Sequence, residues 1–401
     1  MLSAATSPPR MITLVLLTGL SVLSLTMFLP SLSNIAEAFQ ADYALVNLSI
    51  AVYAGMTAVL MLIMGPLSDR FGRRPVLLVG LVIFILASLG CLLAANIWVF
   101  LFFRMLQGAI ISGWVLSNAV IRDTVPAQET ASLIGYLAVA WAVAPMLGPM
   151  FGGILDELFG WRANFLAFAG FGVAMFGLCW VDLGETNKTP SVTFMKQFQT
   201  YPELFRSRRF WGYALCMAFS TGAFYSFLGG VPLVAKTVLA LPPATLGFYI
   251  GTITAGFVLG SFLSGRYAKR HPLTTMMISG RIVACAGLTV GLVLVLAGIV
   301  NVISLFGATV FVGLGNGLTM PSSSAGAMSV RPELAGSASG LSGALTVGGG
   351  AVLSSITGAI LTEENGAYAL LGMMLLSSLM ALVAALYVLR TDRRERAMNF
   401  T

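Results

Sequence analysis

Polar residues are sparse along this chain, and they fall in clusters. Between the clusters run stretches of about 20 mostly apolar residues, each long enough to cross a bilayer as a helix. They lie at 12–36, 46–66, 75–95, 97–120, 131–155, 162–182, 209–234, 243–265, 273–299, 302–327, 334–361 and 366–389. None alternates with period two, as a strand of a membrane barrel would. In lipid the backbone must satisfy its own hydrogen bonds, so the pattern predicts twelve membrane-spanning α-helices. One gap is long and polar. It contains the ETNKTP stretch and ends at Arg206, Arg208 and Arg209. The expected organisation is an N-terminal six-helix half over 1–182, a linker over 183–208 and a C-terminal six-helix half over 209–401.

Composition agrees. The chain is 58% hydrophobic and 9% charged, against roughly 25% charged in soluble proteins. The net charge of +7 raises a nucleic-acid reading, which the placement of the charges displaces. With the N-terminus inside, the outer gaps hold only Arg162 and Lys236, and Arg104 and Arg281 fall within spans. All other Lys and Arg residues lie on the inner side. The positive-inside rule then puts both termini and the linker in the cytoplasm. Cys91, Cys179, Cys216 and Cys285 sit inside apolar runs without metal or redox spacing, and are read as small packing residues. No metal or cofactor is expected. The run after Arg10 is too long for the core of a signal peptide and is expected to remain as the first helix.

The halves repeat. Gly65–Pro75 reads GPLSDRFGRRP, and 196 residues later Ser261–His271 reads SFLSGRYAKRH. Arg70, Arg73 and Arg74 meet Arg266, Lys269 and Arg270, while Asp69 meets Gly265. Both stretches close the second span of their half. Parallel repeats about an axis along the membrane normal are a transporter architecture.

GPLSDRFGRRP resembles the loop 2–3 signature of the major facilitator superfamily at Gly65, Leu67, Asp69, Arg70, Gly72, Arg73, Arg74 and Pro75. Arg104, Gln107 and Gly108 resemble the R-x-x-Q-G of its drug:proton antiporters. Gly135, Gly148, Pro149, Gly152 and Gly153 resemble the span 5 antiporter signature, with Ala144 in place of one glycine. TMFLP in span 1 is similar to Bcr/CflA-type multidrug resistance transporters, matching at Leu29 and Pro30. Thr26 stands where an Asp is expected and Phe28 where a Tyr is expected. The resemblance implies a major facilitator fold around a central cavity. It also implies alternating access, and contact of Asp69 with the start of span 11 near Ser337.

The residues can be weighed physically. A carboxylate at Asp69 can meet basic side chains or a helix N-terminus, and Gly65 allows close helix approach. Gly65, Asp69, Arg70, Gly72, Arg73 and Arg74 are therefore gating candidates. The basic members also serve as topology anchors. An arginine within a span is costly and usually faces an interior or a wet cavity. Helical spacing places Arg104, Gln107, Ile111, Val115 and Asn118 on one face, a candidate cavity wall. Arg281 is expected to snorkel or pack. The aromatics Phe28, Tyr53, Trp114, Trp141, Phe224 and Tyr225 are candidates to line a pocket for an apolar solute. Asn316 joins them, because Asn316-Gly317 occupies the place of Gln107-Gly108. Thr26 and Pro30 share a face of span 1 with Glu37, the substitute coupling carboxylate. Asp123 is a second titratable group, on the inner side. His271 belongs to a basic cluster.

The expected function is export of small drug-like or metabolite molecules in exchange for protons, by a monomer in a bacterial inner membrane. The alternative is a proton-linked uptake symporter. Without a carboxylate beside Arg104, the cavity is expected to be net positive and to favour neutral or anionic compounds. No nucleophile–base pair, metal cluster or Walker loop points to an enzyme.

Overall fold

The computed structural model describes residues 9–125, 127–187, 202–267, 270–331 and 334–398. The side chains of 127–132, 134–136, 138–142, 335–336 and 393–398 fall outside that description. Much of the linker, from 188 to 201, therefore lies outside the described residues, as does Lys269 of the second basic repeat.

The described residues form helices and no strand. Span 1 is broken: α1 (Met11–Thr26) leads through a 3-10 turn, Leu29–Ser31, into α2 (Leu32–Phe39). Pro30 starts that turn, because it has no N–H to give to the preceding turn. Then come α3 (Tyr43–Phe71), α4 (Arg73–Leu92), α5 (Ile97–Gln107) and α6 (Ile111–Thr124), with a 3-10 turn at Gly108–Ile110 joining the last two as one span. The first half ends with α7 (Ala127–Phe159) and α8 (Arg162–Asp182). The second half contains α9 (Arg208–Thr237), α10 (Pro243–Tyr267) and α11 (Leu273–Leu296). A π-helical turn at Ile303–Gly307 leads into α12 (Ala308–Ser329), followed by α13 (Ala335–Ile360) and α14 (Gly366–Met398). Among the described residues, eleven helical spans are long and apolar enough to cross a membrane. The 33-residue α7, with 14 side chains outside that description, is the twelfth long helix.

Two compact units emerge, one of Met1–Lys196 with Pro242–Phe248 and one of Gln197–Leu241 with Tyr249–Thr401. Within the first, α1 packs on α7 and α4 on α8. Its core carries linked aromatic rings, with Phe165 within 6.0 Å of Phe28, Phe100, Trp161 and Phe168. Within the second, α9 packs on α13 and α14, and α11 on α12. Large apolar side chains such as Val79, Leu86, Phe102, Val290 and Leu376 stand exposed along the helices. In water they would be an aggregation surface, whereas in a bilayer they meet acyl chains.

Candidate functional site

The first unit encloses a guanidinium. Arg104 has no exposed surface. Its Nη1 donates to Gln107 Oε1 at 2.5 Å and to the Ser24 carbonyl at 3.3 Å. Its planar head lies 4.0 Å from the Phe28 ring centre and 4.7 Å from that of Tyr53, where each aromatic face attracts a cation. Gln107 passes the chain on, donating to Ser88 Oγ at 2.7 Å. The Tyr53 hydroxyl donates to the Ser21 carbonyl at 3.1 Å and lies 2.5 Å from Ser24 Oγ. Among the described residues no carboxylate forms an ion pair with Arg104, whose Nε and Nη2 have no hydrogen-bond partner.

The second unit holds a counterpart. Arg281 is fully buried, so of the two expected outcomes, snorkelling and packing, it packs. Its Nη2 donates to Asn316 Oδ1 at 2.7 Å and its Nε to Thr319 Oγ1 at 2.9 Å. The Asn316 amide donates to the Ser220 carbonyl at 3.1 Å. Ser220 stands 196 residues beyond Ser24, the same offset that relates the basic repeats. Each unit thus buries an arginine–amide pair against the same carbonyl of its first span. The arginine comes from the fourth span in one unit and the third in the other. The Ser24–Ser220 repeat was the available signal for this, and it is detectable only once the contacts are known.

The loop 2–3 residues gather at one end of the first unit. Arg73 is 9% exposed. It pairs with Asp69 at 2.6 Å and Asp123 at 3.0 Å, and donates to Ser68 Oγ. Gly72 turns with φ 96°, the left-handed region that favours glycine. The stretch after α8 lies across this end as a strap. Glu185 accepts the backbone N–H groups of Arg73 and Arg74 at 2.9 and 3.1 Å, capping the free donors of α4. Asn187 donates to the Asp69 carbonyl at 2.8 Å and Thr186 to Asp123 at 3.4 Å. Asp182 accepts from Arg10 N–H and the Thr13 hydroxyl at 2.8 and 2.6 Å. Sequence pattern singles out neither Asp182 nor Glu185, because the groups they bind lie on other helices. Arg74 lies over the Trp180 ring and Arg70 over that of Phe71.

Spans 1 and 5 meet in a seam. Gly148 lies against Thr26, and a side chain at Gly152 would overlap the Met27 carbonyl. Gly153 lies against Pro243, and the carbonyl of Pro149 against Gly247 of the α10 turns counted with this unit. Asn164 donates to Ser31 Oγ and the Gly152 carbonyl. Asn34 donates to Asp156 Oδ2 at 2.7 Å. Thr26 is buried, and its hydroxyl turns back to the Val22 carbonyl.

Other candidates scatter. Glu37 is exposed at the end of α2. Asn118 donates to the Trp114 carbonyl of its own helix, and both residues are half-buried. Phe224 and Tyr225 pack edge to face. Gly135 and Trp141 lie outside the residues with described side chains.

The chain is 32% identical over 352 residues to the uncharacterized MFS-type transporter YdgK of Bacillus subtilis, covering 84% of this chain and 86% of that one. It is 29% identical over 365 residues to multidrug resistance protein D of Escherichia coli, covering 89% and 90%. With the bicyclomycin resistance protein homolog of Haemophilus influenzae it shares 24% over 352 residues, covering 86% and 87%. The crystal structure of a bacterial homolog of the human lysosomal transporter Spinster, inward-facing and occupied, matches the fold with a TM-score of 0.73 at 16% identity, over 97% and 98% of the two chains. The family model of the Major Facilitator Superfamily matches residues 14–354, and with the repeated units and the loop 2–3 cluster already in place, the chain belongs to the major facilitator superfamily of membrane transporters.

Proposed function

We propose that this protein exports small drug-like or metabolite molecules from the bacterial cytoplasm by alternating access, in exchange for protons. The observation that carries the reading is Arg104, a guanidinium sealed between two aromatic faces and an amide, with two donors unspent. A buried charge with unspent donors is costly and marks a functional position. The outward direction is supported by the names of the multidrug and bicyclomycin resistance relatives.

In this reading the protein works as a monomer with both termini and the linker cytoplasmic, and its halves are 1–182 and 209–401. Asp69, with Gly65, Arg70, Gly72, Arg73 and Arg74, acts as a gate at the cytoplasmic end. The positive charge of Arg104, without a carboxylate partner among the described residues, favours neutral and anionic compounds over cations.

Expression in cells stripped of their own exporters, with a panel of neutral, acidic and cationic compounds, tests this. Resistance that a protonophore abolishes is expected. Raised accumulation inside the cells would mean uptake. Robust export of a lipophilic cation, unaffected by Glu37→Gln, would overturn the charge selectivity.

A further inference from the structure

Asp156 is the one Asp or Glu that is buried among the described residues, at 6% exposure. Every other described carboxylate is half-buried or exposed. It lies about 44 Å along α7 from Ala127, at about 1.5 Å per residue. It is thus at the far end of the first unit from the Arg73 cluster. An ionisable group enclosed in a membrane protein is costly and commonly belongs to a proton or ion path.

Its surroundings connect it to a hinge. Span 1 breaks at Leu29–Ser31, and α7 grips it on both sides of the break. Before the break the grip is steric, with Gly152 against the Met27 carbonyl. Beyond the break it is polar, with the Asn34 amide donating to the Asp156 carboxylate at 2.7 Å. The first contact does not respond to pH. The second does, because a carboxylate accepts more strongly than its neutral acid.

We infer that Asp156 is a proton-binding site whose occupancy controls the outer piece of span 1, α2, through its tie to Asn34. The inference rests on the proton-coupled reading above. In the orientation proposed there, Asp156 is at the outer end, where protons enter for an exporter. The step is a proton transfer alone: an O–H bond forms on the carboxylate from a hydronium ion, and water is left. With the charge gone, the Asn34 tie weakens and α2 swings on the Leu29–Ser31 turn.

The charged groups around it do not substitute for it. On its own helix Glu157 is exposed, and on α2 Glu37 is exposed. On α8, Asn164 is neutral, and Arg162 directs its guanidinium to the Leu92 and Ala94 carbonyls. Asp123 and Arg122, on α6, sit at the opposite end, and Pro242–Phe248 contains no ionisable residue.

Infrared titration of the purified protein in liposomes tests this without a known substrate, with deuterium exchange of α2 measured alongside. Acidification should produce, apart from the broad C=O absorption of the exposed acids, a separate band of an enclosed protonated carboxyl, and faster exchange in α2. Asp156→Asn should lose both responses, while Glu37→Gln and Asp123→Asn keep them. Asp156→Glu, which preserves the acid, should shift the band and retain the exchange response, and it stands in if Asp156→Asn does not fold. Band and exchange response both surviving in Asp156→Asn, or an unshifted band in Asp156→Glu, would overturn the inference. Loss of both responses without protonophore-sensitive export in cells would instead overturn the proposed function and leave the proton site standing.

Discussion

Arg281 donates to Asn316 Oδ1 at 2.7 Å in the second unit, as Arg104 donates to Gln107 Oε1 at 2.5 Å in the first. Both amides belong to the fourth span of their half, but the two arginines come from different spans. What recurs is the buried cation–amide pair, and the position that supplies the cation does not. Such a pair is held by geometry, because no carboxylate neutralises either arginine among the described residues.

Arg281→Met would strand the Asn316 and Thr319 oxygens inside the unit. Leaving a buried acceptor unsatisfied costs about 1–3 kcal/mol. The thermal unfolding midpoint of the purified protein should fall accordingly. An unchanged midpoint would show that the pair is not structural.

Arg104→Lys keeps the charge and loses the planar head that lies between Phe28 and Tyr53. Arginine and lysine are not equivalent at a stacked site. A desolvated cation–π contact is worth about 2 kcal/mol, roughly 30-fold in rate or affinity. Export rate should drop by that order with normal membrane levels. Wild-type export by the lysine variant would remove Arg104 from the transport path.

Asp69 and Asp123 share Arg73. Asp69→Asn should leave the protein in the membrane and slow its cycling. In the double variant with Asp123→Asn, the effects should be non-additive by about 0.5–3 kcal/mol, as for residues in one network. Initial export rates across the four proteins measure this. Normal export by Asp69→Asn would reduce the cluster to an anchor.

Gly152→Ala places a methyl group against the Met27 carbonyl. Backbone there cannot yield as a flexible side chain would, so overpacking of about 1–3 kcal/mol or more is expected. The folded fraction in detergent should fall sharply. Gly160→Ala, which meets no neighbour, is the control for space; its φ of 79° adds only local backbone strain.

Within one chain, apolar run length against bilayer thickness determined the helices, and charge asymmetry determined the expected orientation. Both are local properties, summed along the sequence, and the helices form where those runs lie. Motif spacing also singled out Arg104 and Gln107. Their partners were not legible, because Ser24, Phe28, Tyr53 and Ser88 come from other spans, and only packing brings them together. The same holds for Arg281, expected to snorkel or pack: that it packs depends on what α12 offers in Asn316 and Thr319. Glu37 and Asp156 show the difference most plainly. Along the chain each is an acid at the end of an apolar run. The tertiary structure leaves Glu37 exposed and encloses Asp156, because α7 meets span 1 just past its hinge, where Asp156 takes the Asn34 amide, while Glu37 lies beyond that contact.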